Sequence, residues 1–202
     1  MVSMVNTFKH FKTICVHRKW VRYYGKLIGL PWWQCFKHDL SKFSPIEFFE
    51  SVRYYQGTSS PIDACKKANG YSMAWFHHKG RNKHHYEYWG DNFDHGVIPV
   101  LMPKKYFLEL VADYLAAGQA YMKDDFSYEK ELEWWKNKRS NRIMMHPGNI
   151  AMLDRIFYML AELEKQTKYP TWANISTLTP EQYLKTIDSV YDSWVERGVN
   201  FV

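Results

Sequence analysis

Several histidines and aspartates of this chain stand where they could converge on a metal ion. The clearest pair is His38-Asp39, inside His38-Asp39-Leu40-Ser41-Lys42-Phe43. Around it, Trp32, Cys35, Phe36, Leu40 and Phe43 fall at helical spacing, and Asp39 follows Phe36 by three on that stripe. The spacing predicts a buried helix with a carboxylate facing the core. An ionised carboxylate in that setting is strongly unfavourable unless a cation or several hydrogen-bond donors compensate it. A divalent ion held by His38 and Asp39 would do so, as would pairing with Lys42, its i+3 neighbour, or with a distant Arg.

Three other segments carry similar residues. His17 lies between Ile14 and Val21 on an apolar stripe, as a metal ligand or as a core histidine bonded to backbone. Asp113 is embedded in Leu110-Val111-Ala112-Asp113-Tyr114-Leu115, where an acid again needs a partner. Between them, four of the nine histidines (His77, His78, His84 and His85) fall within nine residues. Mixed imidazole and carboxylate donors suit Mn²⁺, Fe²⁺, Co²⁺, Ni²⁺ or Zn²⁺ better than Ca²⁺, which favours all-oxygen sites. No cysteine pattern suggests a structural zinc site, and a His/Asp site among helices leaves positions open for water or substrate.

The elements that must hold these residues read as helices throughout. Asn6 or Thr7 could cap a first helix to about Ile28, with His10, Ile14, His17, Val21, Tyr24 and Ile28 on one face and Gly29 at its end. Pro31 fits the first turn of a second helix, which would carry His38-Asp39. Ser44-Pro45-Ile46-Glu47 reads as a capping box opening a helix through Tyr55, and Ser60-Pro61-Ile62-Asp63 repeats the signal with Gly70 as C-cap. Residues 79–83 and 90–105 read as loops. Helices follow at Lys104–Lys123, Tyr128–Lys138 and Ile150–Lys165, and Thr179-Pro180-Glu181-Gln182 opens a last one to Arg197, with Gly198 behind it. Ala116, Ala117, Gly118 and Ala120 would let a neighbouring helix approach closely. The prediction is an all-α, single-domain protein.

At 202 residues the chain can bury a substantial core without staples. No apolar run approaches the length of a membrane span, and the N-terminus has no signal-peptide pattern. Cys15 and Cys35 read as core thiols and, with Cys65, form no CxxC, so a cytoplasmic protein is expected. The net charge of +6 is concentrated in residues 1–53, which hold nine Lys or Arg against three acids. That imbalance suggests an anionic partner, a nucleotide or nucleic acid, unless it is only a solvated basic face.

The order His17, His38-Asp39, histidine cluster, Asp113 resembles the HD-domain superfamily of metal-dependent phosphohydrolases. His38-Asp39-Leu40-Ser41-Lys42 looks like its HD-x-x-K signature, with His17 and Asp113 where its first histidine and last aspartate fall. The segments His17 to Val21, His38 to Phe43 and Asn82 to Trp89, together with the Asp113 helix, are also similar to a family of small bacterial and phage proteins without a settled activity. The resemblance implies an HD-like helical bundle over residues 1–202. Its metal core would span about 10–125, with C-terminal helices 128–198 packed on it. It implies that His17, His38, Asp39 and Asp113 hold one ion, and that His78 and His85 hold a second with Asp39 bridging. A helix-like insertion before the cluster leaves open which of its four histidines bind metal. Lys42 and His84 would act on the substrate, and Arg81, Asn82 and Lys83 would meet its anionic part. The expected activity is hydrolysis of a nucleotide or related phosphate ester or anhydride. Alternatives are a di-iron oxygenase on the same scaffold and a non-catalytic nucleic-acid or partner-binding protein.

Overall fold

In a computed structural model of the chain, residues 3–94, 96–141, 143–169 and 178–196 are described. Among them are ten α-helices: α1 (Met4–Ile28), α2 (Trp32–Lys37), α3 (Pro45–Arg53), α4 (Pro61–Asn69), α5 (Met73–Arg81), α6 (Lys104–Met122), α7 (Tyr128–Ser140), α8 (Pro147–Lys168), α9 (Pro180–Leu184) and α10 (Ile187–Glu196). The protein is all-α with one domain.

The axis of the molecule is α6, buried on nearly every side from Phe107 to Ala116. Against it lies α1, which contributes the predicted face of His10, Ile14, His17, Val21, Tyr24 and Ile28. Ser3, ahead of the expected caps, accepts from the Asn6 N–H, and Gly29 closes α1 at φ 87°, a left-handed conformation that glycine adopts without steric penalty. The pair α7 and α8 covers another side of α6, bringing Trp135, Leu153, Ile156, Phe157 and Leu160 into the same core. From the C-terminal part come Tyr183, Leu184, Ile187 and Tyr191, whose hydroxyl donates to the Met102 carbonyl at 2.8 Å. On the other side, α3 and α5 pack together and against α1 and the segment after α2, enclosing the histidine cluster.

Several expectations are corrected. Residues 90–105 include an antiparallel hairpin, β1 (Gly90–Phe93) paired with β2 (Gly96–Pro99), in a stretch too short to show strand alternation. Residues 79–81 continue α5 rather than forming a loop. Neither Ser44 nor Ser60 caps with its side chain; Glu47, the expected capping-box partner, instead accepts from Ser41. The last helix is broken at Lys185-Thr186 into α9 and α10; Arg197 and Gly198 lie outside the described residues. Cys15 is exposed, whereas Cys35 and Cys65 are buried. Among the described residues no helix is long and apolar enough to cross a membrane.

Candidate metal centre

His38 and Asp39 do not sit on a helix. The chain leaves α2 at Lys37, and His38 is extended (φ −50°, ψ 127°). Asp39 is left-handed (φ 56°, ψ 23°), and a 3-10 turn, Leu40–Phe43, follows. Adjacent side chains on an α-helix diverge by about 100°; this reversal lets them converge, with His38 Nε2 3.4 Å from Asp39 Oδ2. Arg18 of α1 holds the turn by donating from Nε to the His38 carbonyl (3.0 Å) and from its guanidinium to the Phe36 carbonyl. The expected stripe is not the core face: Trp32 is 77% and Phe36 54% exposed, yet Asp39 is wholly buried. The turn, not helix periodicity, drives the carboxylate inward.

Two sets of side chains meet on Asp39. Its Oδ2 lies 3.3 Å from His17 Nε2, which is 3.0 Å from Asp113 Oδ1 and 3.4 Å from His38 Nε2. His38 Nε2 is itself 3.2 Å from Asp113 Oδ1. Its Oδ1 faces the other way, 3.3 Å from His78 Nε2 and 3.5 Å from His84 Nε2. His85 completes this second set, within 4.8 Å of its other donor atoms. Thus α1, the post-α2 turn, α5 with the segment behind it, and α6 each bring donors to one place.

Behind the donors stand two carboxylates that sequence reasoning missed. Glu109, one turn before Asp113 on α6, accepts from His38 Nδ1 at 2.9 Å and from Gln34 Nε2 at 2.6 Å, and lies 3.3 Å from His84 Nδ1. Glu47 of α3 accepts from His78 Nδ1 at 2.7 Å and His77 Nδ1 at 2.5 Å. Each holds a ring by Nδ1 and so turns Nε2 toward Asp39, the outer arrangement that orients metal-binding histidines. The i,i+4 spacing of Glu109 and Asp113 was a usable signal; Glu47 was hidden by its capping-box reading. His77 faces Glu47 and belongs to neither donor set.

These charges reshape one another. Burial alone would raise Asp39, but His38, Lys42 and His78 overcome it and hold its carboxyl well below the usual carboxylate range. Burial opposes charge on His38 as well, yet Asp39, Asp113 and Glu109 carry its pKa well above that of a free imidazole. Glu109 is drawn down to about 2 against its burial by His38 and His84. His85 goes the other way: desolvation, then His84 and His78, keep it neutral.

A metal ion fits these residues. For bonds of ~2.1 Å, neighbouring donor atoms stand ~3.0 Å apart around an octahedral ion and ~3.4 Å around a tetrahedral one. The separations of His17 and His38 from each other and from Asp39 and Asp113 are 3.0–3.4 Å. Both Asp39 oxygens, His84 Nε2 and His85 Nε2 are buried with no hydrogen-bond partner, an arrangement native interiors rarely leave uncompensated. Lys42 Nζ, 2.6 Å from Asp39 Oδ2, forms an ion pair with it. The chain's buried His, Asp and Glu groups can therefore hold a metal ion.

The centre lies between two cavities. One is lined by His17, Lys42, His78, His85 and Asp113. The other is lined by Arg81, Lys83, Lys37 and the opposite side of the His38, His84 and Glu109 wall. Lys42 lines the first cavity, while Arg81 and Lys83 line the second. Asn82 points inward, donating to Ser41 Oγ at 2.8 Å. His84 is 1% exposed, lies within the second donor set and also lines the second cavity.

Residues 6–159 match a family of unknown function, DUF5662, and the chain belongs to that family. No curated protein and no solved structure matches it.

Proposed function

We propose that this protein is a metal-dependent phosphohydrolase of the HD type, acting on a nucleotide or related phosphate ester or anhydride. One observation carries the reading: a buried aspartate with one oxygen turned toward His17, His38 and Asp113 and the other toward His78, His84 and His85, beside a lysine on an accessible cavity. A divalent ion held there would acidify a bound water and offset charge on a phosphoryl oxygen. The chain's own groups do the rest. Glu47 and Glu109 fix the rings before any substrate arrives, so no reorganisation is needed during reaction. Lys42, held charged by Asp39 and Asp113 despite its burial, offers the cavity a cation for a phosphate. The order of residues resembling the HD-x-x-K pattern supports the same reaction class.

The test is metal analysis followed by phosphate release from a panel of nucleotides and phosphate esters, after adding Mn²⁺, Fe²⁺, Co²⁺, Ni²⁺ or Zn²⁺ to metal-free protein. Turnover that Lys42→Met lowers at least tenfold, with metal content unchanged, is expected. If no phosphate ester is hydrolysed and the iron-loaded protein consumes O₂, the oxygenase reading replaces this one, since two donor sets sharing Asp39 also suit a di-iron centre.

A further inference from the structure

The cavity on the Lys42 side has two unlike ends. At the metal centre it presents His17, His78, His85, Asp113 and Lys42. Trp75 stands edge-on to His85, ring centroids 4.9 Å apart, and closes that end; the remaining walls combine Ile14, Ile62, Ala74 and Ala117 with the uncharged polar residues Ser51, Ser60 and Tyr121. No cation besides Lys42 lines it, and Glu47, its other carboxylate, is engaged by Ser41, His77 and His78. The polar groups of the far end carry no charge. Thr13 already donates to the Lys9 carbonyl and bonds the Tyr55 hydroxyl at 2.8 Å. His10 is buried between the rings of Phe48 and Tyr55, and burial followed by Lys42 lowers its pKa to about 4, so it is neutral at pH 7. A ligand's charge must therefore sit at the metal end and its body must be uncharged.

Size narrows the body further. The cavity measures about 170 Å³, and an apolar cavity of ~150 Å³ is enough to admit benzene. Small side chains of α6 create the room: Ala117 and Ala120 face it where larger residues would close it.

We infer that this cavity is the site for a phosphate monoester of a small, uncharged alcohol or phenol no larger than one six-membered ring, its phosphate directed to Lys42 and the His/Asp centre. This deepens, and rests on, the phosphohydrolase reading. Hydrolysis would join water oxygen to phosphorus and break the ester P–O bond. The alcohol would leave with a proton from the water, and inorganic phosphate would remain at the metal end.

Two non-hydrolysable probes separate the body from the phosphate. Phenylphosphonate should bind the metal-loaded protein at least tenfold more tightly than methylphosphonate in calorimetric titration. Ala117→Phe, which fills the far end, should bring phenylphosphonate down to the methylphosphonate level with metal content unchanged; Ile62→Phe serves if the first variant does not fold. Equal affinity for the two probes, or a preference that survives both variants, overturns the assignment. Aryl phosphates should be hydrolysed in preference to nucleoside monophosphates. If nucleotides are preferred, the cavity assignment falls while the hydrolase reading stands. If phenylphosphonate selectivity holds and nothing is hydrolysed, the cavity stands and the hydrolase reading falls.

Discussion

Asp39 joins two unusual properties in one residue: a left-handed backbone and a buried carboxylate that touches both donor sets. They can be separated by substitution. Asparagine visits the left-handed region readily and alanine does not, at a cost of about 1–2 kcal/mol. Asp39→Asn and Asp39→Ala should both lose bound metal, as read by elemental analysis. In urea unfolding of the metal-free proteins, the alanine variant should be less stable by that further amount. Metal retained in either variant would remove Asp39 from the ligand set. At this scale much of the site was legible, and for differing reasons. His17 and Asp113 stood out as polar residues on apolar helical faces, and the structure buries both there. His38-Asp39 stood out as a pair, but the stripe used to bury it is exposed; a single positive φ does the work, and an Asp codes for that only weakly. Glu109 has an apolar residue on either side and lay in plain view four positions before Asp113, yet a carboxylate serving histidines from a distant turn has no local signature.

Between elements, the small residues of α6 act as anticipated. Gly118 meets α7 so closely that a Cβ there would lie 2.2 Å from Glu131 Oε2 and 2.8 Å from the Phe126 ring. That contact leaves Glu131 2% exposed, with Oε2 lacking a hydrogen-bond partner. Burial, reinforced by Asp113, pushes its pKa up to about 8 from 4.5. Between these two values the folded state holds a proton that the unfolded chain has released, so stability must fall as pH rises from about 4.5 to about 8, and level off beyond. The total is on the order of 5 kcal/mol. Glu131→Gln should abolish that part of the slope and raise the melting temperature at pH 8 more than at pH 5. An unchanged pH profile would show that Glu131 is ionised in the fold. Helix positions were largely readable because the 3.6-residue pattern is clear in α1 and α8 and α6 is a long apolar stretch. The break between α9 and α10 was not: Tyr183, Leu184, Ile187 and Tyr191 would share one face of an unbroken helix equally well. Nor did Ser44 reveal that its partner Glu47 would be claimed by His77 and His78, since that competition arises only once α5 docks on α3.

Over the whole molecule, the excess of basic residues near the N-terminus is not all surface. Arg18 braces the Asp39 turn, so part of the imbalance that suggested an anionic partner is structural. The donor residues are also widely dispersed: one on α1, two at the turn after α2, three on or just beyond α5, and one on α6. In the unfolded chain they are strung over roughly 100 residues, so gathering them carries a long-loop entropy cost that folding alone must meet. A metal centre that filled both donor sets, joined through Asp39, would act as a rivet between segments that otherwise breathe separately. Without it, amides of α1, α5 and α6 should exchange with solvent at individual rates, each set by its own local opening. With it, opening any one stretch requires release of the shared partner, and their exchange should slow toward a single common rate. Hydrogen-exchange profiles of metal-free and metal-loaded protein would then differ in the number of independent opening units as well as in overall protection; protection confined to the 78–85 stretch would mean that the four stretches are not fastened together.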